Sequence, residues 1–158
     1  MEELSKYLGV KLVEARPMKL GAYNDYRGWA MPAGEDAETD GYLVVYEDDY
    51  KSWCPKDAFE KANRLVDALT FGHAIEAAKL GKRIARAGWN GKNMFVVYQK
   101  GYPEGIPCNA QTAEAFGMEL GELFRCRPYL QMRCADGTHQ MWLASQSDIL
   151  EEDWMIVG

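Results

Sequence analysis

The sequence predicts an α+β protein with mostly antiparallel sheet, and three observations support this fold class. Short apolar runs with strand-like alternation are separated by clusters of turn residues. The pairs Asn90-Gly91 and Asp136-Gly137 favour tight hairpins, which join antiparallel strands. A few short amphipathic segments begin with a capping residue and therefore predict helices. Hairpins combined with separate helices are typical of the α+β class.

Residues 1–66 form the first predicted unit, a small α+β module. We expect a strand over residues 10–18, followed by a long irregular connection over residues 19–41, which is rich in Gly, Pro, Asp and Tyr. Residues 42–46 and 50–53 are expected to pair as a hairpin across an acidic turn.

An amphipathic helix is expected to end this first unit. Pro55 suits the first helical position, because its fixed φ and its missing N–H are harmless there. The apolar residues that follow recur at the spacing of one helix face. These residues are Ala58, Phe59, Ala62, Leu65, Val66 and Leu69.

Residues 67–158 form the second predicted unit, which begins with a helix. The Thr70 hydroxyl can cap this helix, and Gly81 can supply the left-handed residue that stops it. Its apolar face is predicted to consist of Phe71, Ala74, Ile75 and Ala78. A further short helix is expected to begin at the cap residue Asn109 and to end at Phe116.

Five strands are expected in this second unit. Strand-like segments occupy residues 82–87, 94–98, 129–134, 138–143 and 154–157. The first two flank a turn at residues 88–91, and the next two flank Asp136-Gly137, so two hairpins are predicted. Ser145 is expected to open a last turn of helix before the final strand.

The composition indicates a globular protein without a membrane segment. The chain has 158 residues, of which 47% are hydrophobic and 27% are charged, so a core can form. No run of apolar residues is long enough to span a bilayer, and the N-terminus lacks the features of a signal peptide. We therefore expect a cytoplasmic protein. The four cysteines form no Cys-x-x-Cys pair and are expected to be reduced thiols.

The distribution of charge narrows the choice of partner. A net charge of −6 argues against broad binding to polymeric nucleic acid, which requires a basic surface. Residues 77–103 nevertheless contain six basic residues and no acidic one. Such a local patch suits a small phosphorylated ligand better than a long polyanion, although a solvated helix–strand connection would have the same composition.

The sequence contains no recognisable catalytic motif. The two histidines, His73 and His139, have no evident partner in sequence. Gly-x-Ser-x-Gly, Walker and Gly-x-Gly-x-x-Gly patterns are absent. The adjacent carboxylates of Glu151 and Glu152 would point apart on a helix. We therefore expect a protein that is not an enzyme and has no catalytic residue, cofactor or metal site.

Several residues of the second unit suit nucleotide binding. Trp89 lies in a glycine-flanked turn and Trp142 at a strand end, where a ring can stack on a base for ~1–3 kcal/mol. Arg83 and Arg86 could bind a diphosphate, because guanidinium groups form charge-assisted hydrogen bonds. Polar partners for ribose hydroxyls and base edges are Ser145, Gln146 and Asp148. The residues by themselves equally allow both tryptophans to fill gaps between hairpins.

Residues 70–92 resemble the opening of the Thoeris anti-defence protein 2 family of phage proteins. The later motifs of that family are matched, in the right order, by residues 128–129, 135–137, 142–148 and 153–154. The resemblance covers about residues 69 to 158. Residues 1–66 lie outside it and are similar to a small module found at the start of various phage proteins, whose role is unassigned.

The resemblance implies an oligomeric sponge that sequesters cyclic ADP-ribose isomers made by TIR-domain sensors, without chemistry. The downstream effector would then stay inactive in the host cell cytoplasm. The resemblance also implies that some relatives bind cyclic di- or trinucleotides, in separate pockets. Because the pockets of this family lie at or near subunit interfaces, we expect a homo-oligomer, with a tetramer as the expected form.

The resemblance also implies which residues form the binding site. The aromatic walls would be Phe71, Trp89 and Trp142. Arg86 would bind phosphate. The polar contacts would come from Asn90, Gly91, Ser145, Gln146 and Asp148. Gly72 and His73 stand where the family often has an acidic residue, which should weaken the helix cap but leave the pocket unchanged.

Two alternatives to a sponge stay open at this point. The first is an enzyme, a lyase or a hydrolase, that destroys the same signal, although the sequence offers it no acid–base pair. The second is a phage structural or interaction protein in which the aromatic turns form a protein interface. Recovery of the signal, intact or degraded, distinguishes the sponge from the enzyme.

Overall fold

The computed structural model describes residues 4–158, which divide into two compact units of helices and antiparallel sheet. The first unit ends at Leu65, and the second unit is Val66–Gly158. All strand pairs among the described residues are antiparallel. The predicted α+β class is therefore confirmed.

The first unit is a three-stranded sheet with two short helices. Its elements are β1 (Glu14–Pro17), α1 (Leu20–Arg27), β2 (Gly41–Val45), β3 (Lys51–Pro55) and α2 (Lys56–Ala62). The central strand, β2, buries Leu43 and Val44. Tyr42 of β2 stacks on Phe59 of α2 with ring centroids 4.2 Å apart. The first strand is shorter than predicted, since it covers four residues of the segment 10–18.

Helix α1 lies within the segment that was predicted to be irregular, so that prediction is wrong for residues 20–27. The helix buries Tyr23 and Asn24, and the Asn24 side-chain amide donates to the Leu20 carbonyl at 3.0 Å. Gly28 ends the helix with a φ of 71°. Because the buried side chains are one tyrosine and one asparagine, the helix has no apolar stripe that periodicity could detect.

Helix α2 is shorter than the sequence predicted. It ends at Ala62, and the side-chain amide of the next residue, Asn63, donates to the Phe59 carbonyl at 2.9 Å. Pro55 is the last residue of β3 and caps the helix, so it is not the first helical residue. The strand thus passes directly into the helix.

Three residues that were assigned to the apolar face of this helix lie outside it. Leu65 and Val66 are exposed. Leu69 is buried in the second unit, where its N–H donates to the Trp154 carbonyl at 2.8 Å. Helical spacing of apolar residues does not by itself show that they lie on one helix. Residues beyond the end of the helix can have the same spacing by chance.

The second unit is a five-stranded sheet with one helix packed on it and a two-stranded arm. Its helices are α3 (Phe71–Lys79), α4 (Ala110–Phe116) and α5 (Gln146–Leu150). Its strands are β4 (Arg83–Arg86), β5 (Phe95–Gln99), β6 (Tyr102–Pro107), β7 (Leu123–Cys126), β8 (Tyr129–Arg133), β9 (His139–Met141) and β10 (Trp154–Val157). The sheet has the order β10-β4-β5-β8-β9, and β6 pairs with β7 in the arm.

The core of this unit lies between α3 and the five-stranded sheet. Four strands each contribute one buried side chain: Ile84, Val96, Met132 and Trp154. Side chains alternate along a strand, so the residues next to these point to the opposite face of the sheet. This opposite surface, the far face, carries Arg83, Ala85, Phe95, Arg133, Met155 and Val157.

The local signals at the ends of helices are confirmed in this unit. Thr70 Oγ1 accepts a hydrogen bond from the His73 N–H at 3.3 Å and caps α3. Asn109 caps α4 by accepting from the Thr112 N–H at 2.9 Å, and Gly117 ends that helix with a φ of 64°. The hairpin of β8 and β9 and the final strand β10 also form where predicted.

The tight turn that was predicted at Asn90-Gly91 does not form. A longer loop, residues 87–94, joins β4 to β5, and its residue with positive φ is Asn93, at 58°. Gly91 leaves space for a side chain instead, because a Cβ there would lie 2.1 Å from the Met94 sulfur and Met94 would have to move. The prediction that Gly91 supplies a positive φ in a tight turn is therefore wrong.

The arm of β6, α4 and β7 is inserted between the paired strands β5 and β8. No strand was predicted for β6 or for β7. Strand β6 contains Pro103 and Pro107, and its register with β7 shifts between Tyr102 and Ile106. Gly105, with a φ of 98°, lies within that irregularity. Proline and bulges weaken the strand signal in a sequence, which explains why β6 was missed.

Three further features of the described residues concern membrane spans, metal binding and the cysteines. No helix within residues 4–158 has the length and apolar character needed to cross a bilayer. In the same residues no group of three or more His, Cys, Asp or Glu side chains is placed to hold a metal ion. All four cysteines carry free thiols.

Candidate functional site

Four aromatic rings meet beside the first turn of α3. This aromatic cluster consists of Phe71, Trp89, Trp142 and Trp154. Trp154 is 0% exposed, and its ring centroid lies 5.3 Å from that of Trp89, 5.4 Å from that of Phe71 and 5.9 Å from that of Trp142. The other three rings are partly buried and pack on the core. The three predicted aromatic walls therefore adjoin one another around a fourth, fully buried ring.

The Asp148 carboxylate is buried beside the aromatic cluster and joins three segments of the chain. Its Oδ1 accepts hydrogen bonds from Arg86 Nη1 at 3.0 Å and from Trp89 Nε1 at 3.1 Å. Its Oδ2 accepts from the Ser145 N–H and hydroxyl at 2.9 and 2.8 Å, which completes the capping box of α5. Its main-chain carbonyl accepts from Trp154 Nε1 at 2.7 Å.

These bonds keep the Asp148 carboxyl group ionised. Burial by itself raises the pKa of this group, but the bonds from Ser145, Arg86 and Trp89 outweigh burial and lower the pKa from 3.8 to about 2. A carboxylate this acidic, with hydrogen bonds on both oxygens, has no proton to donate near neutral pH. The group is thus unsuited to act as an acid. Its hydrogen bond with Trp89 Nε1 instead orients the Trp89 ring.

Arg86 lies between two carboxylates. Its Nε donates to Asp153 Oδ1 at 2.8 Å, and its Nη1 donates to Asp148. Asp153 Oδ2 also accepts from the Gly88 N–H at 2.8 Å, which fixes the start of the loop. The bond to Asp153, followed by the one to Asp148, raises the pKa of Arg86 against the effect of burial. Two negative charges already face one positive charge here, so the arrangement favours a positioning role for Arg86 over phosphate binding.

The remaining predicted polar residues lie around this network in different settings. Asn90 is exposed in the loop, and Gly91 beside it is half-buried. The Ser145 hydroxyl is engaged in the capping box. Gln146 is exposed in the first turn of α5.

A cavity of about 510 Å³ opens beside the loop of residues 87–94. Its polar side chains are Arg83, Arg86, Asn93 and Arg133. Its larger apolar side chains are Trp89, Met94, Phe95, Met155 and Val157. A cavity of this size, with apolar walls and a few polar groups, is typical of sites for small organic ligands.

The predicted site residues are brought into one region but not into one pocket. Phe71, Trp89 and Trp142 share the aromatic cluster. Trp89 is bonded to Asp148, which connects it with Arg86 and Ser145. Three of the predicted residues, Arg86, Trp89 and Gly91, also line the cavity. Trp89 is thus the residue that the cluster, the hydrogen-bond network and the cavity share. That these residues contact a ligand stays a prediction.

Sequence reasoning missed two contributors to this region. Asp153 is 67 residues from Arg86 in the chain, and the sequence predicts no role for it beyond its place in a family motif. Arg133 was not singled out, although it follows the buried Met132 and so must point to the far face. The alternation of side chains along the strand predicts the face on which Arg133 lies. Only the register of β5 and β8 shows that Phe95 is its neighbour there.

Known proteins resemble the second unit. A family profile described as "Tad2-like: Thoeris anti-defense 2-like domain" matches residues 69–157. A protein of Bacillus phage SP01 named Thoeris anti-defense 2 is 35% identical over 93 residues, which cover 57% of this chain and 96% of that protein.

Proposed function

Because the chain belongs to the Thoeris anti-defense 2-like family, we propose that it blocks Thoeris defence by capturing a small cyclic nucleotide signal. The signal proposed is a cyclic ADP-ribose isomer, and cyclic di- or trinucleotides are the further candidates. The protein holds the signal chemically unchanged in the host cytoplasm, so the effector is not activated. Membership of a family of phage anti-defence proteins supports the inhibition of Thoeris defence. The residues of the site support the capture of a cyclic nucleotide.

The aromatic cluster is the observation that carries this proposal. Phe71, Trp89 and Trp142 are each partly exposed, and each is fixed by packing on the buried Trp154. The hydrogen bond from Trp89 to Asp148 further restricts one of these rings. Rings that are ordered before binding lose little entropy when a base stacks on them, which favours tight capture.

The state of the charged groups supports binding without chemistry. The pKa of Asp153, like that of Asp148, is lowered, chiefly by its hydrogen bond with Arg86. Both carboxylates are therefore ionised at neutral pH and are occupied by donors from the protein. Proton transfer to a leaving group requires an acid whose pKa is closer to neutrality.

Exposed apolar side chains support a homo-oligomer, for which we propose a tetramer. Leu143 is 92% exposed, Leu150 is 72% exposed and Met141 is 69% exposed, all close in sequence to the cluster residue Trp142. Phe116, in the arm, is 78% exposed. Where such side chains form one contiguous exposed patch, the patch typically marks an interaction surface, and we propose that a second copy of this chain covers it.

The oligomer has a direct test in light scattering. We expect the purified protein at micromolar concentration to have the mass of a homo-oligomer, both with and without ligand. Leu143→Asp should shift it toward the monomer, whereas Leu65→Asp, an equivalent change at an exposed leucine of the first unit, should not. A monomeric wild-type protein that still binds its ligand would contradict the oligomer.

Capture without chemistry has its own test. The protein is incubated with excess cyclic ADP-ribose isomer, separated from free ligand and denatured, and the released compound is identified by mass spectrometry. We expect intact signal in an amount proportional to the protein. Steady accumulation of a linear or hydrolysed product at substoichiometric protein would establish the enzyme alternative.

A further inference from the structure

Two arginines of the far face lie on either side of one aromatic ring. The Arg83 guanidinium carbon is 5.1 Å from the centroid of the Phe95 ring. Arg133, on β8, is the register partner of Phe95 on β5. All three residues line the cavity. Two positively charged side chains close to Phe95 thus line the same cavity.

Neither arginine forms a salt bridge within the part of the chain that the structure describes. Among residues 4–158, no carboxylate lies within 4.0 Å of the side-chain nitrogens of Arg83 or Arg133. Asp136 lies further from Arg133; hydrogen bonds from Thr138 lower the pKa of Asp136, and the charge of Arg133 adds a small effect to them. The Arg133 guanidinium donates a hydrogen bond of 3.0 Å to the Asn93 carbonyl, which carries no net charge. Arg86, by contrast, faces two aspartates at the edge of the same cavity. The available positive charge of the cavity therefore belongs to Arg83 and Arg133.

The rest of the cavity is suited to the organic part of a nucleotide. Met94, Met155 and Val157 contribute apolar walls, and Trp89 contributes a ring that is already fixed by Asp148. The volume of about 510 Å³ is within the range that small-molecule sites occupy. The cavity thus combines apolar and aromatic walls with two guanidinium groups, which bind phosphate oxygens in pairs.

We propose that Arg83 and Arg133 bind the phosphate groups of a nucleotide in this cavity, and that Arg86 acts as a positioning residue for Trp89 and the loop of residues 87–94. The inference rests on the function proposed above, because the ligand is the same class of compound, a nucleoside diphosphate in cyclic form. Of the two arginines that the sequence suggested for diphosphate binding, Arg83 and Arg86, it keeps Arg83 and replaces Arg86 by Arg133. Trp89 then serves both the aromatic cluster and the cavity.

The test uses the full-length protein and titration calorimetry with three probes: a cyclic ADP-ribose isomer, ADP and adenosine. Arg83→Gln and Arg133→Gln should each weaken binding of the phosphorylated probes by about tenfold or more, since each removes charge-assisted hydrogen bonds. Binding of adenosine should not change. Arg125→Gln is the matched control, because it removes the same charge from an exposed position on β7 that does not line the cavity.

Thermal melts establish that each variant is folded. If a glutamine variant is unstable, Arg83→Lys and Arg133→Lys keep the charge but lose paired hydrogen bonding, and they should show a smaller loss of affinity for the phosphorylated probes. Arg86→Lys should instead reduce thermal stability and weaken adenosine and ADP to the same degree, since it acts through Trp89.

The outcomes separate this inference from the proposed function. If the wild-type protein binds the cyclic ADP-ribose isomer and the Arg83 and Arg133 variants bind it equally well, the inference is wrong and the proposed function stands. If ADP binds through the two arginines but no cyclic isomer binds, the inference stands and the proposed signal is wrong. If no phosphorylated probe binds, both are wrong.

Discussion

One carboxylate, that of Asp148, joins the Trp89 indole, the Arg86 guanidinium and the start of α5. A buried charge is tolerated when its hydrogen-bonding capacity is filled, and here both oxygens have two donors each. The same bonds hold Trp89 where it can contact a ligand. At the scale of single residues, we therefore expect stability and the proposed ligand binding to depend on the same side chain.

The free energy of unfolding should fall as the pH is lowered from about 5 to 2. The pKa of Asp148 is about 2 in the folded protein and 3.8 ordinarily, so the unfolded chain takes up a proton first. Because the pKa is lower in the folded protein, the ionised carboxylate contributes its full stabilisation at pH values above the ordinary pKa of 3.8. This contribution, in total ~2 kcal/mol, is lost as the pH falls toward the pKa of the folded protein. Urea unfolding at a series of pH values measures this loss.

The variant Asp148→Asn should be less stable at neutral pH, because Arg86 loses one of its two partners, and its stability should depend less on pH below 5. Glu114→Gln, at an exposed position of α4, is the control and should keep the wild-type pH dependence. An Asp148→Asn protein with the wild-type pH dependence would mean that other carboxyl groups determine acid stability.

The tryptophans should differ in what their removal costs. Trp89→Ala and Trp142→Ala should weaken binding of the cyclic signal by ~1–3 kcal/mol, the usual contribution of base stacking. Trp154→Ala, which removes a fully buried ring, should mainly reduce stability, by ~3–5 kcal/mol. Calorimetric titration and thermal melts of the three variants measure both effects. Equal losses of stability in all three, with normal binding by the folded fraction, would make these rings core residues without a ligand.

At the scale of elements, the loop of residues 87–94 positions the site. Its first part is fixed by the bond from the Gly88 N–H to Asp153, and its last part by the bond from Arg133 to the Asn93 carbonyl. Trp89 and Gly91 lie between these two anchors. The loop is thus held at both ends by side chains from distant segments, Asp153 just before β10 and Arg133 on β8, so its shape depends on how these strands are placed in the sheet.

Gly91→Ala should weaken ligand binding. The added Cβ would lie 2.1 Å from the Met94 sulfur and 3.1 Å from the Ala135 Cβ, so Met94 must move, and Met94 lines the cavity. Gly72→Ala is the control: its Cβ meets nothing closer than 3.8 Å, and alanine in a helix should stabilise by up to ~1 kcal/mol. Melting temperatures and ligand affinities of both variants give the comparison. Unchanged affinity in Gly91→Ala would show that this part of the loop does not shape the site.

At the scale of the whole molecule, the residues that match the family lie in the second unit. We therefore expect a protein that lacks residues 1–65 to fold and to bind the cyclic signal with nearly the wild-type affinity. This boundary keeps Val66, whose carbonyl accepts from the Ile156 N–H at 2.8 Å. Circular dichroism and calorimetric titration of the truncated protein provide the measurement. A folded truncation that no longer binds would assign the first unit a part in the site.

The sequence determined those features that depend on a few neighbouring residues. Thr70, Asn109 and Ser145 cap their helices as expected, because a capping oxygen needs a donor only two or three residues away. The hairpin of β8 and β9 follows from its Asp-Gly turn in the same way. The family motifs also lie in continuous segments, so resemblance located the aromatic residues without knowledge of the fold.

The tertiary structure alone decided the features that join distant segments. Arg86 meets Asp148 and Asp153 across 62 and 67 residues, and those pairs turn an expected phosphate partner into a group that is already neutralised. Arg133 reaches the cavity beside Phe95 only through the register of β5 and β8. The sequence gives the charge of each side chain. The partners of that side chain depend on how the strands align, and the packing of the core determines this alignment.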